Sequence, residues 1–241
     1  MLNGFDLSNW DRTTPSLAGL SFLWAKATEG LSYVDPTYAT HTAAARAAGI
    51  VHGAYHFGHT GVDPAAQARY LVAHAPDAQL YALDSEGAAR MTHAEAAAFI
   101  AAVKAARPGV RVGLYESLSG YDQGAGQDFN WVAAWRNTAP PIPWTFWQYT
   151  SSGAVSGYSG RLDLDHFNGD LAALHGLVGL AVPSPTPSPA EAFYTVVPGD
   201  TLWGIATRHH LTLAALLAFP ENAGFRTHPN LIHPGDRVRV Q

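Results

Sequence analysis

The segment Leu80-Tyr81-Ala82-Leu83-Asp84-Ser85-Glu86-Gly87 ends an apolar run with two carboxylates one residue apart. In a strand, the period of two turns Asp84 and Glu86 to the same face, with Cα atoms about 7 Å apart where the strand ends. Two acids held so close repel each other. With partial burial, that repulsion raises the pKa of one and leaves the other ionised. A general acid and an electrostatic stabiliser are then made from the same chemistry, which is what hydrolysis of a glycosidic bond requires. Two solvated acids at a strand end would look the same in isolation, so the rest of the chain has to decide.

Apolar or alternating runs recur near residues 2–6, 22–27, 50–57, 79–84, 110–115, 129–135, 145–149 and 161–166, giving eight candidate strands. Helical patterns lie between the early ones: Pro36–Ala48 ending at Gly49, Pro64–Ala75, and Thr92–Ala106, where Thr92 and Glu95 form a capping box. The later connections are too short or too rich in Gly and Pro for full helices. Five strand–helix alternations followed by three strands predict an α/β fold, an irregular TIM-like (β/α)5β3 barrel. Such a barrel carries its reactive groups at the C-terminal ends of its strands. Asp6 closes the first strand, Asp84 and Glu86 the fourth, Tyr115 the fifth, Gln148 and Tyr149 the seventh, and Asp163 with Asp165 the eighth. Taken singly, Asp6 could be a turn residue and Asp163 a solvated strand end. Acids and amides from four strands converging on one rim outweigh those explanations.

The 241 residues, 47% of them hydrophobic, suffice for one sizeable domain and a small one. Only 14% are charged, the net charge is −5 and there is no basic block, which argues against nucleic acid or an anionic membrane as partner. The absence of cysteine removes disulfides, thiolate catalysis and cysteine metal sites. The N-terminus lacks the basic and apolar regions of a signal peptide, and no stretch is long and apolar enough to span a bilayer. The alternating prolines of Val182-Pro-Ser-Pro-Thr-Pro-Ser-Pro-Ala190 favour a stiff, extended spacer. This divides the chain into a barrel over 1–181, a linker over 182–192 and a small module over 193–241. A spacer that holds two units on one target raises the effective concentration of the second.

Six segments, Gly4-Phe-Asp-Leu-Ser8, Ala25-Lys-Ala-Thr-Glu-Gly30, Gly53-Ala-Tyr-His-Phe57, Leu83-Asp-Ser-Glu86, Trp147-Gln-Tyr149 and Leu162-Asp-Leu-Asp165, together resemble the glycoside hydrolase family 25 muramidases over about the first 170 residues. The resemblance implies cleavage of the β-1,4 bond between N-acetylmuramic acid and N-acetylglucosamine in peptidoglycan, with net retention and no cofactor. It makes Glu86 the acid and gives Asp84 the substrate's own 2-acetamido group to hold and polarise as nucleophile. Asp6 and Asp163 match the two remaining family acids, which would tune Glu86, position water and stabilise positive charge. Tyr33, Tyr55, His56, Tyr115, Trp131 and Gln148 would line the sugar subsites. Asn9-Trp10, Trp135 and Asp165 depart from the family pattern, and Asp165 adds a charge beside Asp163 where an asparagine is usual.

His52-Gly-Ala-Tyr-His56-Phe-Gly-His59 could also be read as a metal site of a zinc-dependent deacetylase. Against this, the spacing lies in an apolar strand rather than on a helix, and no acid stands in a ligand motif. The expectation is therefore no metal, with His56 a hydrogen-bonding group near the sugar and His52 a core or barrel-bottom residue. An amidase is disfavoured by the same missing ligand pattern, and a non-catalytic wall-binding protein is the remaining alternative; the four family acids argue against it.

Residues 194–241 follow a β-α-α-β pattern and resemble a LysM module, through Gly199-Asp-Thr-Leu202 and Asn230-Leu-Ile-His-Pro-Gly-Asp236. The resemblance implies binding of N-acetylglucosamine glycans in a groove between two loops, through Gly199, Asp200, Thr201, Leu202, Asn230, Leu231 and Ile232. Of these, Leu202 also fits the module core, and Asp200 or Thr201 a helix cap. One unit that cuts a glycan and one that holds it implies a modular enzyme whose partner is peptidoglycan, with a monomer as the default. Without a signal peptide, the expected setting is a phage endolysin made in host cytoplasm and released to the wall through a membrane lesion; a bacterial enzyme whose signal has been removed fits the same residues equally.

Overall fold

The first unit closes its sheet into a ring. In the computed structural model, which describes residues 1–122, 124–180, 192–227, 229 and 231–240, the chain divides into units Met1–Val182 and Pro183–Gln241. The strands of the first are β1 (Leu2–Leu7), β2 (Phe22–Glu29), β3 (Tyr33–Val34), β4 (Val51–Phe57), β5 (Leu80–Asp84), β6 (Arg111–Ser117), β7 (Phe129–Ala133), β8 (Phe146–Gly153) and β9 (Leu162–Phe167). Their order is β1-β9-β8-β7-β6-β5-β4-β2, closed by a parallel β1–β2 pairing, and the short β3 hangs on β2 outside the ring. The expected barrel is thus present.

Its helical layer is thinner than five alternations. Helices α1 (Tyr38–Ala48), α2 (Pro64–His74) and α3 (His93–Ala106) cross between strands, and α4 (Leu171–Leu177) follows β9. After β1 and β6 the described residues form no α-helix, because those connections hold Pro15 and Gly19, or Gly120, Gly124 and Gly126. Helix α1 stops at Gly49, whose φ of 68° is left-handed. The Thr92–Glu95 capping box forms at the start of α3. The Glu95 carboxylate also accepts hydrogen bonds from Gly61 N (2.7 Å) and Thr60 Oγ1 (2.9 Å), so one cap side chain also fastens the loop after β4.

The direction of β9 differs from a TIM barrel. It runs antiparallel to both β8 and β1. The reason is length: residues 154–161 suffice for a hairpin, whereas a parallel return needs a crossover of a dozen residues or more. Asp163 therefore lies near the start of its strand, opposite Asp6 at the end of β1. The C-terminal-end rule thus picks out an acid that reaches the same end of the ring on a strand that runs the other way.

Both faces of the ring are buried. Outside, Leu23, Ala54, Leu71, Tyr81, Phe99, Ile100 and Val103 pack between sheet and helices. Inside, Phe22, Trp24, Phe129, Trp131, Phe146 and Phe167 form a plug, with Trp24 stacked on Trp131 at 4.9 Å between centroids. Inward-facing glycines make room for it. A Cβ on Gly53 would lie 2.2 Å from the Trp24 ring, and one on Gly113 would lie 2.0 Å from Phe129. The plug forms the floor of the barrel mouth and leaves only the upper end for polar groups.

The second unit contains β10 (Phe193–Thr195), α5 (Leu202–Arg208), α6 (Leu213–Ala218), a 3-10 turn over Pro220–Phe225, and β11 (Arg237–Arg239), with β10 antiparallel to β11. Val196, Leu202, Ile205, Leu216 and Val238 form its separate core. The proline spacer falls almost wholly on residues 181–191, outside the described residues. Among the described residues, no helix is long and apolar enough to cross a membrane.

Candidate active site

Three strands, β1, β5 and β9, deliver four carboxyl groups to one cavity at the mouth, lined by Asp6, Tyr55, Asp84, Glu86, Tyr115, Trp131, Gln148 and Asp163. Strand parity explains the selection. On β5, Leu80, Ala82 and Asp84 point inward while Tyr81 and Leu83 meet the helices. Glu86, two residues on, keeps an extended backbone (φ −144°, ψ 170°), so it also faces the cavity before Gly87 turns the chain at φ 59°. Asp6 and Asp163 are cross-strand partners, as are Asp84 and Tyr115.

Burial raises every one of these acids. Asp84 stands well above the usual carboxylate range, first through burial and then through the charge of Glu86, with Lys26 opposing. Glu86 is half-buried and raised by burial, again with Lys26 opposing. Asp163 is pushed up to about 6 by burial, then by Asp11 and Glu86. Asp6 is raised by burial and by the charges of Asp165 and Asp163. The spacing predicts one raised and one ionised acid at the end of β5; in the structure both are raised, and the fully enclosed Asp84 the further. Asp84 Oδ1 is buried with no hydrogen-bond partner. It is an acceptor waiting for a donor.

Lys26 supplies the cation. Its ammonium lies 2.6 Å from Glu29 Oε2 and over the rings of Tyr33 (5.4 Å) and Phe57 (5.1 Å). From sequence, Lys26 belongs to a motif but has no role of its own, and Trp135 is only a departure from a pattern. In the fold, Trp135 is 68% exposed, lines a groove with Glu86, Tyr115, Ser117, Leu118 and Ser119, and donates from Nε1 to Gln148 Oε1 at 3.1 Å. An exposed tryptophan beside an acid-lined cavity presents a flat apolar face with a polar edge.

Gln148 lines the cavity but is heavily committed. Its Nε2 donates to Asp6 Oδ2 (2.8 Å), and its Oε1 accepts from Tyr115 OH (3.0 Å) as well as Trp135. Tyr55 and Trp131 complete the lining, edge to face with centroids 5.9 Å apart. Two expected subsite residues are not in this lining. Tyr33 sits on the β2–β3 hairpin beside Lys26. His56 is a correction: it points outward, wholly buried, sharing hydrogen bonds with Thr28 Oγ1 (2.8 Å) and Gln67 Oε1 (3.1 Å) and stacking on Phe99. Tyr55, its neighbour, has the inward parity. Burial pushes the His56 imidazole down to about 4, which keeps it a neutral strut between barrel and helices. His52 shares that outward face and is buried near the start of β4, while His59 pairs with Glu29 (3.1 Å).

In the second unit, Gly199 turns the loop before α5 with φ at 93°. Asp200 holds that loop by accepting from Val197 N (3.0 Å) and Tyr194 OH (2.8 Å), and Thr201 caps α5 through Gly204 N (3.1 Å). Leu202 is a second correction. Helical parity buries its side chain in the module core, at 1% exposure, where it cannot touch a glycan. Leu231 is exposed, Ile232 packs against the core, and Asn230 lies outside the described residues. Trp203, one helical position past Leu202 and not singled out by the sequence pattern, is 67% exposed beside the Gly199 loop.

Compared with known proteins, residues 5–158 match the model of glycosyl hydrolases family 25, and residues 194–241 match that of the LysM domain. The chain is 31% identical over 210 residues to Lysozyme M1 of Streptomyces globisporus, covering 73% of this chain and 71% of that one. Among solved structures, the bacterial lysozyme of Streptomyces coelicolor aligns with a TM-score of 0.63 at 30% identity, over 73% of this chain and 96% of that one. The catalytic domain of endolysin ply40 from bacteriophage P40 of Listeria monocytogenes aligns at 0.64 and 25% identity, over 74% and 98%.

Proposed function

The chain belongs to glycosyl hydrolase family 25, and on that premise we propose that it is a wall-bound muramidase: it cleaves the β-1,4 bond between N-acetylmuramic acid and N-acetylglucosamine with net retention. The observation that carries the mechanism is the buried, unpartnered Asp84 Oδ1 beside Glu86 in one acid-lined cavity. A sugar bearing a 2-acetamido group brings the missing N–H donor. The hydrogen bond offsets the burial of Asp84, favours its ionised form, and polarises the amide so that its carbonyl oxygen can attack the anomeric carbon.

Glu86, raised by burial, gives its proton to the glycosidic oxygen as that carbon–oxygen bond breaks. The product of this step is a cyclic oxazolinium and a free sugar hydroxyl. Water, deprotonated by the Glu86 carboxylate, then attacks the same carbon, opens the ring and restores both the acetamido group and the protonated acid. Two inversions give retention. Asp6 and Asp163 face the positive charge that develops at the anomeric centre. In the second unit, the exposed Leu231 and the exposed Trp203 that follows the Gly199 loop support glycan holding.

Digestion of purified peptidoglycan, borohydride reduction and mass spectrometry test the bond assignment. Muramitol ends support the proposal; glucosaminitol ends, or no new reducing ends, refute it.

Lys26 yields a prediction with a defined sign. Its charge holds Asp84 and Glu86 below where burial alone would put them. In Lys26→Met both therefore titrate at higher pH. Asp84 must be ionised, so the acid limb of the kcat/KM profile moves up; Glu86 must be protonated, so the alkaline limb moves up too. A profile that only loses height would show that Lys26 does not act through these acids.

A further inference from the structure

Asp165 lies one layer below the cavity lining, wholly buried on the inner side of β9. In the antiparallel β1–β9 register it opposes Gly4, two residues from Asp6, so Asp6 is its diagonal neighbour. Each carboxyl has one oxygen served by a neutral donor. Asp165 Oδ1 accepts from Trp131 Nε1 at 2.7 Å, and Asp6 Oδ2 accepts from Gln148 Nε2 at 2.8 Å. Asp165 Oδ2 is buried with no hydrogen-bond partner. The diagonal register sets the Asp6 carboxyl beside it on the same buried inner face of the ring. Ionised carboxylates only accept, so a hydrogen bond between two of them requires a proton on one. Two adjacent charges with no cation between them are also too costly to bury.

We propose that Asp165 is a positioning residue for Asp6: the two carboxyl groups share one proton, which fixes the Asp6 carboxyl at the cavity floor and limits the pair to a single negative charge. The inference rests on the functional reading above for its meaning, but not for its geometry. Trp131 anchors Asp165 from the far side and is itself fixed by its stack on Trp24. An asparagine in place of Asp165 could orient Asp6 with no proton to lose; the aspartate makes that orientation depend on pH.

The groups facing the pair are Asp163 on β9, Tyr115 on β6 and Tyr55 on β4, with Asp84, Glu86 and Lys26 at the mouth, while Tyr149 on β8 acts on Asp165 from the outer face of the sheet. Burial is the main reason the pair holds its proton. It raises Asp6 well above its usual range and Asp165 to about 7, with the charge of Asp163 adding to both. Loss of the shared proton on the alkaline side sets two carboxylates against each other and releases Asp6 from its orientation.

Difference infrared spectroscopy of the full chain near neutral pH tests the shared proton. Asp165→Asn and Asp6→Asn should each remove one and the same protonated-carboxyl C=O band, and the double variant should remove no more than either. Two distinct bands that add, or no band lost, would overturn the pair. Should an Asp variant fail to fold, Trp131→Phe removes the donor to Asp165 Oδ1 and must shift the same band; a stationary band refutes the assignment. The functional readout is the alkaline limb of kcat/KM on soluble glycan chains, which moves to higher pH in Asp165→Asn. An unmoved limb would overturn the positioning role. The infrared result stands whether or not the protein cuts the expected bond, so failure of the pair and failure of the muramidase reading are distinguishable.

Discussion

Glu86→Gln is expected to lower kcat on peptidoglycan by roughly 10²- to 10⁴-fold, the usual contribution of a positioned general acid. Glutamine has the shape of glutamate and fits the half-buried site beyond β5, but its amide cannot donate the proton that the leaving oxygen needs. The substitution also removes a carboxyl that raises both Asp84 and Asp163. Both should therefore titrate lower in the variant, and removal of a mutually repelling buried acid should not reduce thermal stability. Loss of turnover with an unchanged melting temperature and unchanged wall binding would identify a chemical role. Retained turnover would remove Glu86 from the mechanism, and a collapsed fold would make it structural.

Truncation after residue 182 is the second large effect, and it falls on binding rather than chemistry. Each unit has its own apolar core, and no described core cluster draws on both. The barrel alone should therefore keep its turnover on short soluble chains. Its retention on insoluble wall should fall by roughly 10²-fold, the lower range expected when a tethered second site is lost. Co-sedimentation with purified wall, set beside kcat on soluble fragments, separates the two quantities. Equal loss of both would mean that residues 183–241 contribute to the fold or the site of the first unit. Trp203→Ala offers a smaller version of the same comparison, because its ring lies outside the module core and its removal leaves that core intact.

Much of this protein is local in origin. Apolar runs, Gly and Pro punctuation and the Thr92–Glu95 cap depend on neighbours in sequence, which is why the strands and the three crossover helices are legible in the chain alone. The acids at the barrel mouth are legible for a related reason. A carboxylate at the end of an apolar run, as at Asp6 and Asp84, stands out against the residues on either side. The alternation of inward and outward positions does not show itself in the same way. In a closed, largely parallel barrel both faces of every strand are buried, so hydrophobicity does not mark the inner one. Tyr55 and His56 are adjacent, aromatic and polar, and nothing local says which faces the cavity. Ring closure turns Tyr55 in and gives His56 to Thr28 and Gln67. The same limit conceals Asp165, which reads as one more acid in Leu162-Asp-Leu-Asp165 until the antiparallel return of β9 sets it diagonally from Asp6.

The sequence by itself determined the elements and the acids, since these follow from residue type and short-range spacing, while the two units take their reading from the families they resemble. The tertiary structure alone decided which acids are buried together, which of them must share a proton and where Lys26 places its charge. Those properties arise from desolvation and from Coulomb interactions between residues far apart in the chain, and they come into being only when the ring closes.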